Sequence, residues 1–398
     1  MASDTLHEKV IAPISDQELE RRWKLVREVM KEKKIDFVLA QNGSDYLGGY
    51  VKWFTDLPAV HDYTASIIFP VDDEMTTIWH GSSDPAKAGP AAWLFRGVKK
   101  RLSTPILPSL NFTTSFDAQL VVEELKGYKN ITLSFVNEGR MTTGYTSYIR
   151  EHLPSAKFVD ITEEIDLFKA IKSPEEIERI KYSAYLHDEG MKACAEAMKP
   201  GVREFEVTAW GRYKCRMLGS EQQFIHIGSA PQGNPVRYSS IHGQNRMLQD
   251  GDQIVVLIEA NDPAGYYTHL HRHFVIGSAR DETLQHHELA KEAQKFTLDL
   301  IKPGADPMEV LAANNEWMVS RGYDPETRLY AHGQGYDLVE RPSFQVGETM
   351  KIHAGMNVAA HPTVSTKLGT GKLCDNYIVT EMGLTECLHK FPQEITVV

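Results

Sequence analysis

The chain has 398 residues, 42% of them hydrophobic, more than one compact core ordinarily holds, so two domains are expected and a disordered or fibrous chain is excluded. Its 43 basic against 54 acidic residues leave a formal charge of −11, which repels polyanions and argues against a nucleic-acid partner. Four scattered cysteines with no CxxC pair, an N-terminus MASDTLHEKV without an apolar stretch, and apolar runs no longer than a strand (Ile254 to Ile258) fit a cytoplasmic protein with no membrane association.

Ser15, with Glu18 three positions on, reads as a capping box that opens a helix running to about Lys33, with Leu19, Trp23, Val26 and Met30 on one face. Ile35 to Ala40 is a short apolar run closed by Asn42-Gly43, and Ile67 to Pro70 and Thr76 to His80 read as further strands, so the N-terminal part is α/β. Ser173-Pro174-Glu175-Glu176 combines an N-cap serine, a proline at the first helical position and a glutamate at the third, and predicts a new helix there. The boundary falls before it, giving domains 1–170 and 171–398. Ile177, Ile180, Ala184, Met191 and Ala195 form the apolar stripe of that helix, and Lys199-Pro200-Gly201 stops it.

The second half repeats itself. Lys199-Pro200-Gly201-Val202 runs on to Glu206-Val207, and Lys302-Pro303-Gly304-Ala305 runs on to Glu309-Val310. In each copy a helical stretch ends at a glycine, Gly219 or Gly322, at the same distance, and turns into an apolar or aromatic strand. A duplicated helix-plus-strand unit predicts a pseudo-symmetric α+β domain with a cleft between its halves, where sites commonly lie.

With the segment Gly265 to Arg272 (GYYTHLHR), the His332-Gly333-Gln334-Gly335 turn, Gly355-Met356 before His361-Pro362, and Val379-Thr380-Glu381 with Gly383, the chain resembles the pita-bread family of creatinase, aminopeptidase P, prolidase and methionine aminopeptidase. Asn42 and Tyr46 to Tyr50 (YLGGY) resemble that family's creatinase-type accessory domain. The resemblance implies a pita-bread C-terminal domain behind an N-terminal α/β domain. It also implies, for members that cleave peptides, two metal ions on two aspartates, one histidine and two glutamates.

That ligand set is broken here. By position, the first aspartate falls near Leu257 or, with a register shift, on Glu259; the second falls on His269. The histidine is kept as His332, the glutamates become His361 and Cys374, and the histidine that assists peptide cleavage becomes Val339. Aminopeptidase activity is therefore not expected. His269, His332 and His361, with Glu259 or Cys374 in reach, make instead a three-imidazole site for one divalent transition metal (Zn, Fe or Mn) per subunit, the alternative being a hydrogen-bonded histidine cluster.

His269, His271 and His273 alternate along one strand and project to one face. In creatinase-like members the position of His271 and that of His361 carry glutamates that clamp a cationic substrate. Two imidazoles in their place argue against a guanidinium substrate and for an anionic one. Creatinase also shuttles a proton with a histidine that Gln232 to Val236 has lost; His242 is the replacement candidate, with His226 the second, also as a substrate-binding group. Arg341 is placed like an arginine that grips a substrate carboxylate, with a surface salt bridge as the alternative.

Trp53, Phe54, His61 and Asp62 lie where such relatives reach across a dimer to close the partner's site. Neighbours on a strand face opposite ways, so Trp53 or Phe54 is expected to line the pocket or the dimer interface. The expectation is thus a homodimeric enzyme acting on a small non-peptide, carboxylate-bearing substrate, by hydrolysis or elimination at a C–N, C–S or C–C bond. The alternatives are a metal-free creatinase-like hydrolase and an inactive small-molecule binding homologue.

Overall fold

In the computed structural model, which describes residues 12–42, 49–57, 64–81, 92–104, 110–239 and 243–398, Ser15 caps helix α1 (Asp16–Lys33), its Oγ accepting the Glu18 N–H at 3.1 Å. Only half of the expected capping box forms, because the Glu18 carboxylate turns away to Arg21 and Arg22. Two compact units are present, Pro13–Lys169 and Ala170–Val398, the second joined by Ala12.

The first unit continues with β1 (Phe37–Asn42), α2 (Gly49–Thr55), β2 (Ala65–Pro70), β3 (Met75–His80), β4 (Val98–Thr104), α3 (Phe116–Leu125), β5 (Thr132–Phe135), α4 (Thr143–His152), β6 (Lys157–Phe158) and α5 (Thr162–Ala170). Its described strands form one mixed sheet ordered β4-β3-β2-β1-β5-β6. Leu39, Ile68, Ile78 and Leu133 from the sheet pack with Val121 and Leu125 of α3 and with Tyr145 and Ile149 of α4, removing one apolar face from water.

Trp53 and Phe54 correct an expectation. They lie on helix α2 and not on a strand, and a helix advances about 100° per residue, so neighbours share a buried side. Both are core of their own unit, 1% and 0% exposed, with Phe54 against Phe69 at 5.0 Å and the Arg22 guanidinium 5.6 Å from the Trp53 ring.

The second unit opens on a complete capping box. Ser173 Oγ accepts the Glu176 N–H at 3.3 Å, and Glu176 Oε2 accepts the Ser173 N–H at 2.7 Å. There follow α6 (Pro174–Ala197), α7 (Glu204–Met217), β7 (Gln223–Pro231), β8 (Asp252–Asn261), β9 (Tyr267–Val275), α8 (Asp281–Leu298), α9 (Pro307–Ser320), β10 (Ala331–Gly333), β11 (Glu340–Ser343), β12 (Asn357–Ala360), β13 (Thr363–Ser365), β14 (Thr370–Lys372), β15 (Asp375–Thr380), β16 (Gly383–Leu384) and β17 (Thr396–Val397).

The duplication is visible in hydrogen bonds. Gly201, at φ +89°, donates to Leu248 O at 2.9 Å, and Leu248 N–H donates to Val202 O at 2.8 Å. Gly304, at φ +84°, donates to Ile352 O at 2.8 Å, and Ile352 N–H donates to Ala305 O at 3.1 Å. Each Lys-Pro-Gly turn therefore launches a 14-residue helix, α7 or α9, from the same reciprocal pair. Only glycine reaches this left-handed backbone without strain.

Sheet β17-β9-β8-β7 shows why the site lies where it does. Ile225, Ile227, Ile254, Val256, Ile258, Leu270 and Phe274 point to one face and form a core with Leu186, Met191 and Cys194 of α6 and Val207 and Cys215 of α7. The strand period of two then sends the intervening residues to the other face. Across β7, β8 and β9 the register sets Phe224, Glu259 and His269 in one row and His226, Leu257 and His271 in the next.

Candidate metal centre

The second sheet, ordered β11-β10-β12-β15-β16, supplies the facing groups. His332 of β10 is opposite Ala359 of β12, and Ala359 is opposite Asn376 of β15, so the three share a face. His361 follows Ala359 by two, and its N–H continues the pairing to Tyr330 O at 3.2 Å, which keeps its ring on that face. Strand β9 meets this sheet at an isolated bridge, His271 N–H to Cys374 O at 3.2 Å, and the Asn376 side-chain oxygen accepts the His269 N–H at 2.7 Å. Three histidines from three strands thereby converge.

Their ring centroids are 5.9 Å (His269 to His332), 5.1 Å (His269 to His361) and 5.2 Å (His332 to His361) apart, and one ligand nitrogen of each lies within 4.8 Å of the others. Burial pushes all three imidazoles below their ordinary range, His332 to about 4, and His269 is further lowered by His361 and His332, and His361 by His332. At neutral pH they offer lone pairs and not charge. His332 Nδ1 lies 2.9 Å from Gly333 O, which fixes the proton there and leaves Nε2 free to ligate.

Donor chemistry and spacing suit one ion of the Zn, Fe or Mn kind. A tetrahedral ion sets imidazole nitrogens about 3.4 Å apart, within the range of small side-chain rotations from this arrangement. They do not suit a carboxylate-bridged pair of ions, since the trio holds no carboxylate. Among the described residues this is the one such group, and neither Glu259 nor Cys374 belongs to it.

Glu259 takes a neighbouring place. Its Oε1 is 3.4 Å from His269 Nδ1, and burial pushes its carboxyl up to about 8, so it is held protonated at neutral pH. Leu257, the other candidate at this position, offers no ligand and faces His271. Cys374 is buried, and burial raises its thiol well above the ordinary range.

The remaining candidates are placed as follows. His271 is 2% exposed, and neither ring nitrogen has a hydrogen-bond partner among the described residues. His226, in the same row as His271, packs against Phe224 and stands 5.9 Å from Tyr238. Arg341 commits its guanidinium to Glu348 (Nε at 3.0 Å) and Thr349, the salt bridge named above as the alternative to a carboxylate clamp, and Glu348 is further fixed by the Ser343 N–H. Val339 is exposed. His61, Asp62 and His242 lie outside the described residues.

Two features escaped the sequence reading. Asn376, Gln334 and Asn357 form a buried amide network: Asn376 Nδ2 donates to Gln334 Oε1 at 2.9 Å and to Asn357 Oδ1 at 3.0 Å while its oxygen holds the His269 backbone. Tyr238 and Lys372 flank His271, with the Tyr238 ring 5.7 Å from the imidazole and Lys372 Nζ 4.4 Å from the Tyr238 ring. The i, i+2 spacing of Lys372, Cys374 and Asn376 was the available signal for one face.

Comparison with known proteins decides the family. Residues 178–381 match the model of metallopeptidase family M24, about half of the chain. The chain belongs to family M24. A creatinase from Bacillus sp. (strain B-0618) is 24% identical over 425 residues, covering 97% of this chain and 93% of that protein. An Xaa-Pro dipeptidase from Pyrococcus furiosus is 27% identical over 254 residues, 62% of this chain and 71% of that protein. The crystal structure of X-Pro aminopeptidase from Thermotoga maritima MSB8 superposes with a TM-score of 0.76 at 19% identity, covering 94% of this chain and 99% of that one. The M24 chain therefore has the expected architecture, a pita-bread C-terminal domain behind an N-terminal α/β domain, and its relatives are named as hydrolases and peptidases. Among the described residues no helix is long and apolar enough to cross a membrane.

Proposed function

We propose that this M24 protein is an enzyme that cleaves a C–N, C–S or C–C bond, by hydrolysis or elimination, in a small non-peptide molecule bearing a carboxylate, with one divalent transition metal held by His269, His332 and His361. The observation that carries the reading is the trio itself: three neutral imidazoles converge, two of them, His269 and His361, where the family resemblance implies carboxylates and the third, His332, where it implies a histidine. Val339, in place of the histidine that assists peptide cleavage, points the same way. Bound there, the ion would serve as a Lewis acid toward an oxygen of the substrate or of water.

The chain's own groups do the rest. Gly333 O orients His332, Asn376 fixes the backbone of His269, and protonated Glu259 stands beside the trio as a donor. His271 faces the same space, and His242 as the proton shuttle, a homodimeric assembly and a cytoplasmic location belong to the same proposal. Xaa-Pro dipeptides supplied with Mn or Co test the substrate class. No turnover is expected; rates near the median enzyme value of ~10 per second would contradict the reading.

A further inference from the structure

The substrate's anionic end needs a partner, and Arg341 is spent on Glu348. Lys372 is not spent. Its ammonium has no hydrogen bond or ion pair among the described residues and rests 4.4 Å from the Tyr238 ring, half-buried on β14. A carboxylate that acts on it electrostatically, Glu326, is engaged by Arg328, which also donates to Thr363, and Arg328 and Arg237 add positive charge to the same surroundings. A half-buried cation with its counter-ion missing is costly unless a ligand supplies one.

The group opposite is equally unsatisfied. His271 is buried with both ring nitrogens unpartnered, whereas His187, a structural histidine of α6, satisfies both of its own: Nδ1 on Ser183 O at 2.7 Å and Nε2 accepting the Ala260 N–H at 2.9 Å. Backbone geometry brings His271 and Lys372 together, since the His271 N–H bonds Cys374 O, two residues beyond Lys372. Gly371 presses β14 onto α8: a Cβ there would stand 1.8 Å from His286 O.

We propose that Lys372, propped on Tyr238, and the unpartnered imidazole of His271 form the subsite that takes the carboxylate of a small substrate beside the histidine trio. This rests on the reading above for the rest of the substrate and supplies the clamp that Arg341 does not. Burial and the neighbouring arginines lower the Lys372 ammonium to about 8, which leaves it mostly charged at neutral pH and short of a counter-charge.

Binding of propionate to the purified protein, followed by saturation-transfer NMR with 1-propanol as the uncharged control and with metal content measured in parallel, tests the subsite. Propionate and not 1-propanol should bind, at least about tenfold more weakly in Lys372→Met, with Lys372→Arg restoring part of the affinity and metal content unchanged. Equal binding in Lys372→Met, or binding that vanishes on metal removal and ignores Lys372, would overturn it. Lys372-dependent binding by a protein that takes up no metal would support the subsite while removing the metal from the proposed function.

Discussion

Asn376 is the side chain that holds the backbone of His269, and its four hydrogen bonds, the fourth with His389 Nε2 at 3.4 Å, are all buried. Replacing it by alanine strands the His269 N–H and two amide oxygens away from water. Asn376→Ala should therefore lower unfolding free energy by about 2–3 kcal/mol in a urea titration and weaken metal binding by roughly 10- to 100-fold. A loss under about 0.5 kcal/mol with unchanged metal affinity would show that Asn376 does not position His269. At this scale the trio was legible in the sequence, because His332 keeps a family position and His269 and His361 fall on ligand positions. Lys372 and Tyr238 were not, since they meet only through the packing of β14 against the segment after β7. Arg341 was legible as an arginine in the right place, but its occupation by Glu348 is a tertiary fact.

Elements were readable where local chemistry is self-contained. Ser173 and Glu176 satisfy each other's orphan donors, and the paired Lys-Pro-Gly turns each need one left-handed glycine, so the start of α6 and the duplicated halves could be taken from spacing alone. Trp53 and Phe54 show the opposite case: in a seven-residue helix the period is too short to declare itself, and the assumed strand put one aromatic outside the core. Gly228 is another feature invisible in one dimension. A Cβ there would sit 1.9 Å from Arg237 O, on the segment that carries Tyr238 and donates Ser239 N–H to Ile227 O at 2.9 Å. Gly228→Ala must push that segment off β7, at a cost of about 1–3 kcal/mol. The expected readout is altered near-UV circular dichroism and a lowered melting temperature; an unchanged protein would mean that this close approach is not needed.

Over the whole molecule, buried neutral histidines make stability depend on acid. His187 and His273 are held at about 4 and about 3 by burial, against an ordinary value of 6.5. Between those values and 6.5 the unfolded chain binds protons that the folded chain refuses, so stability is complete above 6.5 and falls as pH drops toward 3. Each of the two should cost about 2 kcal/mol between roughly pH 7.5 and pH 5, seen as a fall in the urea midpoint, and a midpoint that does not move would contradict their buried, neutral state. The trio lies within the second unit where β9 of one sheet meets the sheet of β10, β12 and β15, and the face that carries His269 is polar because its reverse packs on α6 and α7.

Elemental analysis of protein purified without chelator and offered Zn, Fe and Mn bears most directly on that centre. About one equivalent of a single divalent metal per chain, lost in His332→Ala, is expected. Less than about a tenth of an equivalent from all three metals, or a stable two per chain, would contradict a mononuclear three-histidine site.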